Sequence, residues 1–143
     1  MRTLFDTSVL VPALVDQLGN HHAAFDALHR YTDGEDQGYC STHALAECYA
    51  TLTALPLPKR VLPEEARSLV EESIRGRLSV VEIVLDDYLE VLREVAGLGL
   101  TSGAVYDALH VRCARKAALD RILTYDVTHF ERFDLAGIDV MAP

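Results

Sequence analysis

Four carboxylates in this chain each stand in a short segment that combines an acid with apolar neighbours. They are Asp6 in LFDTSVL, Glu47 in HALAECY, Asp107 in GAVYDALH and Asp126 in ILTYDVTHF. An ionised carboxylate in or beside an apolar run is costly unless a metal ion, hydrogen bonds or an opposite charge satisfy it. Oxygen-only ligands favour hard Mg²⁺ or Mn²⁺ over zinc. The four residues therefore indicate a divalent-metal site, where a polarised water could attack a phosphodiester bond.

The size and composition predict a single domain over residues 1–143. Half of the 143 residues are apolar and 24% are charged, which suffices for one buried core. The first residues do not resemble a signal peptide, and no apolar stretch approaches the roughly 20 residues that span a bilayer, so we expect a cytoplasmic protein. The three cysteines lack C-x-x-C spacing, which argues against a disulfide framework or a zinc knuckle and favours reduced thiols packed as small hydrophobic residues.

The charge balance argues against one class of function. With 13 Lys and Arg against 22 Asp and Glu, the formal net charge is -9. Such a chain is poorly suited to hold a phosphate backbone by surface charge alone, which argues against a general RNA-binding module. It argues less against a metallonuclease, because divalent cations reverse the sign of the potential at an acidic cleft.

The hydrophobic periodicity predicts alternating strands and helices. The predicted strands cover residues 2–6, 38–42, 78–84, 121–124 and 138–141. The helices between them begin near residues 7, 21, 43, 63, 86, 103 and 127, and Ser41 or Thr42 is expected to cap the third of them. This alternation is typical of a parallel sheet that is covered by helices on both faces.

The predicted topology explains how acids far apart in sequence come together. In a parallel α/β sheet, ligands collect outside the carboxyl ends of the strands. Asp6 ends the first strand, and Asp126 follows the fourth. Glu47 and Asp107 lie near the starts of helices that begin at the same edge. We therefore expect one rim to carry all four carboxylates, which repel one another strongly without a counter-charge.

The same segments resemble a PIN-domain ribonuclease, and within that family a VapC-type toxin of a bacterial toxin–antitoxin pair. The matching residues are the opening LFDTSVL, the Ala-Glu of LAEC, the run GAVYDALH, and LTYD followed by His129-Phe130. These segments cover almost the whole chain in the expected order.

The resemblance implies a five-stranded parallel sheet, Mg²⁺-dependent cleavage of RNA, and a homodimer inhibited by a cognate antitoxin. Asp6 and Asp107 would be the principal metal ligands, with Glu47 and Asp126 completing the site. By the same resemblance, Thr124 would hold a metal-bound water. Ser8 stands where some members carry Asn, and it could still donate a hydrogen bond. We expect the antitoxin to carry a basic C-terminal segment whose Arg pairs with the carboxylates.

Several other residues are interpreted as structural or remain open. His110 is not expected to share the helix face of Asp107. His43 and Glu47 could both face a zinc ion, but no third ligand follows at a recognisable spacing, so His43 is interpreted as a surface histidine. Three basic residues after Asp107 could contact RNA, although solvated helix faces and pairing with acids four residues away on the same helix are favoured for each: Arg112, Arg115 and Lys116. Asp86, Asp87 and Glu90 are interpreted as exposed helix charges.

Two other functions remain open from sequence. A noncatalytic PIN-like interaction module would keep the fold without cleavage, although the presence of all four carboxylates argues against it. A phospho-aspartyl receiver or phosphatase is more remote, because the segment after Asp6 is Thr7-Ser8 rather than D-x-D-x-T. The apolar first two helices could form a dimer surface or belong to the core.

Overall fold

Five short parallel strands form one sheet in the computed structural model, which describes residues 1–143. They are β1 (Arg2–Phe5), β2 (Gln37–Ser41), β3 (Ser79–Val81), β4 (Arg121–Leu123) and β5 (Asp139–Met141). Their order across the sheet is β3-β2-β1-β4-β5, so β1 is central and pairs with β2 on one side and β4 on the other. The predicted fold class, a five-stranded parallel sheet with helices on both faces, is confirmed.

Seven helices connect the strands. They are α1 (Thr7–Leu14), α2 (His21–Arg30), α3 (Thr42–Ala54), α4 (Pro63–Ser68), α5 (Leu85–Gly97), α6 (Ala104–Lys116) and α7 (Val127–Phe130). The helix predicted to start near residue 63 does so, but its second half, Leu69–Ile74, is π-helical. Ser41 caps α3 as expected, because its hydroxyl accepts a hydrogen bond from Ala44 N at 3.0 Å.

The two faces of the sheet have separate cores because side chains alternate along each strand. Phe5 packs with the core residues of α1 to α4 on one face. Its neighbour Leu4 packs with those of α5, α6 and α7 on the other. The three cysteines are free and buried, as predicted. Burial raises the pKa of Cys40 to about 12, so its thiol stays protonated.

Helices α5 and α6 are joined by ion pairs around Asp87, which was wrongly interpreted as an exposed charge. Asp87 is 2% exposed. It accepts hydrogen bonds from Arg112 Nε at 2.8 Å, from Lys116 Nζ at 2.7 Å and from Val84 N at 3.0 Å. Burial alone would raise the pKa of Asp87, but the donors from Lys116, Val84 and Arg112 outweigh it and lower the pKa to about 2.

The basic residues of α6 therefore pair with acids of the same chain, but not with the acids on their own helix that the sequence favoured. Arg115 makes a two-pronged contact to Glu94 of α5, at 3.0 Å for each pair of atoms. The partners lie on the neighbouring helix rather than one turn away on α6.

None of the helices is both long and apolar enough to cross a membrane.

Candidate functional site

The four sequence-predicted acids line one cleft of about 350 Å³ at the carboxyl edge of the sheet. Asp6 follows β1 directly, and Asp126 lies three residues after the end of β4. Glu47 is in the first half of α3, and Asp107 is in the first turn of α6. The predicted convergence on one rim is therefore observed, because each of these segments starts or ends at the same edge.

Asp6 is buried at the base of this cleft, and its carboxylate is fixed by two hydroxyls. Ser8 Oγ and Thr124 Oγ1 donate to Asp6 Oδ2 at 2.7 and 2.8 Å. The backbone N–H of Asp6 donates to Leu123 O at 3.0 Å, which ties the end of β1 to the end of β4. Asp6 occupies the N-cap position of α1 but makes no capping hydrogen bond with its side chain. The carboxylate of Asp6 therefore does not cap α1, and it faces the cleft.

The two hydroxyls also shape the loop after β4. Ser8 Oγ accepts a hydrogen bond from Tyr125 N at 3.0 Å, and Thr124 Oγ1 accepts one from Asp126 N at 3.0 Å. Asp126 is exposed, and its side chain forms no capping bond at the start of α7. The carboxylate of Asp126 thus faces the cleft without a structural partner on its own helix.

Asp107 is partly buried and lies at the rim near Arg132. Arg132 Nη2 donates to Asp107 Oδ2 at 3.1 Å, and His129 Nδ1 lies 3.9 Å from the same oxygen. Burial raises the pKa of Asp107, and the nearby charge of Asp6 raises it further, while His110, His129 and Arg132 act in the opposite direction. Burial and the neighbouring Asp6 charge thus outweigh the nearby His and Arg groups and make this carboxylate costly to ionise.

His110 lies beneath the acids, which corrects its sequence interpretation. Positions 107 and 110 are three apart on a helix and share a face. The ring is 1% exposed, with Nε2 3.0 Å from Glu47 Oε1 and 3.6 Å from Asp6 Oδ1. Burial alone would lower the pKa of His110, but the hydrogen bond to Glu47 and the charges of Asp6 and Asp107 raise it.

His43 is mostly buried beside Glu47 and is not the surface histidine expected. Its Nε2 lies 2.9 Å from Glu47 Oε1, but without hydrogen-bond geometry. Its ring stacks on that of Tyr106 with a centroid separation of 4.8 Å. Burial lowers the pKa of His43, against the opposing charge of Glu47, so this ring stays neutral more readily than His110.

No Lys or Arg side chain lines the cleft, although four carboxylates do. No group of three or more His, Cys, Asp or Glu side chains is arranged to hold a metal ion by direct contacts alone. Mg²⁺ is commonly bound through one or two carboxylates while it keeps several waters. The oxygen-only donor set at a wide, acidic cleft therefore fits a hydrated divalent ion.

The chain belongs to the PIN domain family, whose model matches residues 3–135. Two curated relatives from Mycobacterium tuberculosis are similar over nearly the whole chain. Ribonuclease VapC27 is 32% identical over 136 residues, covering 95% of this chain and 93% of its own. Ribonuclease VapC40 is 30% identical over 135 residues, covering 94% of both chains.

Solved structures share the fold at lower identity. VapC20 from Mycobacterium tuberculosis, described as a Sarcin-Ricin loop cleaving toxin, has a TM-score of 0.74 at 15% identity over 99% of each chain. VapBC2 from Rickettsia felis, bound to a DNA fragment from its promoter, has a TM-score of 0.68 at 17% identity, covering 100% of this chain and 99% of that one. FitAcB from Neisseria gonorrhoeae has a TM-score of 0.60 at 22% identity, covering 97% of this chain and 96% of the other.

Proposed function

We propose that this chain is a Mg²⁺-dependent endoribonuclease that acts in the cytoplasm as the toxin of a type II toxin–antitoxin pair. The observation that carries the proposal is the cleft at the carboxyl edge of the sheet, lined by four carboxylates and by no Lys or Arg. The names of the curated relatives, which are VapC ribonucleases, support RNA as the substrate class.

Asp6 and Asp107 would hold the ion, with Glu47 and Asp126 completing the acidic site. A bound Mg²⁺ would supply a polarised water for attack on phosphorus and a positive charge for the leaving oxygen. The chain's own contribution is positional. Ser8 and Thr124 fix one oxygen of Asp6, so its other oxygen is free to face the cleft. The same hydroxyls hold the backbone that presents Asp126.

Arg132 contributes charge at the rim, where its guanidinium contacts Asp107. This cation does not line the cleft itself, and its side chain is 36% exposed. It is therefore placed where an incoming phosphate of the RNA backbone could reach it, since guanidinium groups bind phosphates with two parallel hydrogen bonds.

The test is cleavage of total RNA by the purified chain with Mg²⁺ or Mn²⁺, for the wild type and for Asp6→Asn and Asp107→Asn. We expect each variant to lose on the order of 10³-fold in rate, because each removes a carboxylate that would hold the ion whose positive charge stabilises the transition state. Glu131→Gln is the matched control, since it removes an exposed carboxylate close in sequence to the cleft loop. Unchanged cleavage by both active-site variants would remove the proposed site.

Mapping the cleavage ends would define the substrate at the same time. Discrete internal cuts indicate an endonuclease, whereas trimming from one end would contradict that part of the proposal. A wild-type protein that neither binds a divalent ion nor cuts RNA would instead be a noncatalytic PIN-like module.

We further propose that the antitoxin inserts a basic C-terminal segment into the acidic cleft. The four carboxylates that line the cleft, with no Lys or Arg among the lining residues, support this, because a guanidinium could pair with two carboxylate oxygens and exclude a metal ion. Co-purification with such a partner should suppress cleavage, and replacing its C-terminal Arg residues with Gln should restore it. Inhibition that persists without those basic residues would contradict this mode of inhibition.

The homodimer that the family resemblance implies would need an apolar surface. α1 is not available, because nearly all of its apolar residues are buried in the chain's own core. α5 instead exposes an apolar stripe, with Leu85 at 72%, Leu92 at 52% and both Tyr88 and Leu89 at 40%. Asp86 and Arg93 are also exposed on α5, on either side of Leu89. A two-fold axis near Leu89 would therefore bring Asp86 of one copy close to Arg93 of the second copy, and the reverse.

We therefore propose that α5 forms the dimer surface. Light scattering of the wild type should give twice the chain mass, and Leu89→Glu should give a monomer. Phe25→Glu on α2, which changes an equally exposed apolar residue, serves as the control and should leave the dimer intact. A monomeric wild type, or dissociation by the α2 substitution alone, would contradict this placement.

A further inference from the structure

We propose that His110 is a positioning residue that holds the Glu47 carboxylate beside Asp6 in the orientation needed to bind a divalent ion. The inference rests on the proposed function, because it concerns the same cleft. It adds a residue that approaches the acids from below, through the core, and does not line the cleft.

One edge of the ring is anchored to the helix that carries Glu47. His110 Nδ1 lies 3.0 Å from Ser41 Oγ, and that hydroxyl also accepts the Ala44 N–H as the cap of α3. The ring further stacks on Phe130 of α7, at a centroid separation of 6.5 Å and an interplanar angle of 22°. The imidazole is therefore fixed between α3, α6 and α7.

The other edge of the ring faces the carboxylates. Nε2 lies 3.0 Å from Glu47 Oε1 and 3.6 Å from Asp6 Oδ1. We assign the proton to Nε2, because a carboxylate only accepts hydrogen bonds, so the Nε2–H donates a hydrogen bond to Glu47 Oε1. Asp6 is beyond ordinary hydrogen-bond length and is positioned by Ser8 and Thr124 instead.

Glu47 needs such a partner more than the other acids do. It has three side-chain torsions, and fixing a Glu side chain costs up to about 2 kcal/mol in conformational entropy. Its neighbour His43 approaches without hydrogen-bond geometry. The Nε2–H of His110 is thus the one donor that selects the Glu47 conformation directed toward Asp6.

The burial of His110 distinguishes positioning from direct catalysis. A ring that is 1% exposed does not touch RNA or the attacking water. Groups that hydrogen-bond a metal-ligating side chain act through that ligand, and their loss commonly costs about 10- to 100-fold in metal affinity.

The experiment compares two amides at position 110 by calorimetric titration with Mn²⁺ in the absence of RNA. His110→Asn keeps a polar group near Ser41 but is too short to reach Glu47. His110→Gln is one methylene longer and can still donate to Glu47. We expect the Asn variant to bind Mn²⁺ about 10- to 100-fold more weakly than wild type, and the Gln variant to recover at least half of that loss on a logarithmic scale.

A second comparison tests whether the effect passes through Glu47. In a Glu47→Ala background, His110→Asn should change Mn²⁺ affinity by less than about twofold, because nothing remains for the ring to position. An equal loss in both backgrounds, or Asn and Gln variants that both bind like wild type, would overturn the inference. If the Asn variant does not fold, His110→Phe, which fills the ring volume without a donor, carries the same expectations.

Kinetics separate this inference from the proposed function. His110→Asn should raise the Mn²⁺ concentration for half-maximal RNA cleavage, while KM for RNA at saturating Mn²⁺ stays within about twofold of wild type. If the wild type binds Mn²⁺ and cleaves RNA, and His110→Asn does both equally well, the inference is contradicted but the proposed function is not. A wild type that does neither would defeat the proposed function, and the inference with it.

Discussion

Asp6 and Asp87 are both buried carboxylates, but their surroundings are opposite in kind. Asp87 receives hydrogen bonds from two cationic side chains and one backbone N–H, and its pKa is lowered to about 2. Asp6 receives only two neutral hydroxyl donors and shares its cleft with three more acids. The chain thus compensates the charge of Asp87 with its own Lys and Arg side chains and places neither residue type in the cleft of Asp6.

Under the proposed function, the difference separates a structural carboxylate, Asp87, from one that binds an ion, Asp6. A buried charge that only stabilises the fold must be satisfied by the chain itself, because an unpaired one is destabilising. Buried acids that gather in a cleft without compensating cations are instead candidates for a functional site. The α5–α6 ion pairs and the carboxylate cleft should therefore respond in opposite ways to substitution and to metal.

Asp87→Asn should produce the largest loss of stability. The substitution leaves Lys116 and Arg112 without their buried partner, which should lower the free energy of unfolding by about 3 kcal/mol. Urea unfolding followed by circular dichroism measures the change. Glu90→Gln is the matched control, because this partner of Arg112 is 52% exposed and should contribute less than about 1 kcal/mol. Equal losses in the two variants would show that Asp87 is not specially stabilised.

Mn²⁺ should stabilise the wild type through the cleft. At a concentration near 100 times its dissociation constant, a ligand that binds only the folded state adds about 2.7 kcal/mol. We expect a corresponding rise in Tm for the wild type and for Asp87→Asn, and none for Asp6→Asn. A Tm increase of the same size in Asp6→Asn would show that the ion binds elsewhere.

The contribution of the Asp87 carboxylate to the free energy of unfolding should disappear at acidic pH. Its pKa is lowered from 3.8 to about 2 in the folded state, so the unfolded state takes up its proton first as the pH falls. The stability that depends on its charge is therefore fully present above pH 3.8 and is lost as the pH falls through about 2. Urea midpoints of the wild type and Asp87→Asn should converge over that range. A gap that stays constant down to the lowest pH would contradict the lowered pKa.

Asp107→Asn should have the smallest effect, and one of opposite sign to Asp87→Asn. It removes a charge that burial and Asp6 disfavour, so the metal-free protein should gain up to about 1 kcal/mol in free energy of unfolding. The same urea experiment in the presence of EDTA measures it. A loss comparable to that of Asp87→Asn would mean that the contact with Arg132 dominates, and the comparison between the two regions would fail.

Much of the fold was predictable because the hydrophobic periodicity of its strands and helices is strong. All five strands and the starts of the helices follow from alternating apolar segments and their punctuation. The third strand was predicted to run over residues 78–84, but β3 ends at Val81. Val84 N donates a hydrogen bond to Asp87 Oδ2. The last residue of the predicted strand is therefore the N-cap of α5 and does not pair in the sheet. A side-chain contact of this kind leaves no mark on hydrophobic periodicity.

The cleft acids were also predictable, because the parallel topology determines which ends meet. Two buried polar residues were missed, although both left a signal. Asp87 shares the spacing of Val91 and Val95, the buried face of α5, and His110 is one turn from Asp107. What sequence could not supply was the partner across the interface: Lys116 for the first residue and Glu47 for the second. Those pairings depend on how separate helices dock.

The most direct measurement is cleavage of an end-labelled RNA by the wild-type chain, first in EDTA and then after addition of excess Mg²⁺. A cleft of four carboxylates that depends on an external cation predicts no cleavage in EDTA, full cleavage once Mg²⁺ is restored, and no restoration in Asp6→Asn. Cleavage that proceeds equally well in EDTA would contradict the account.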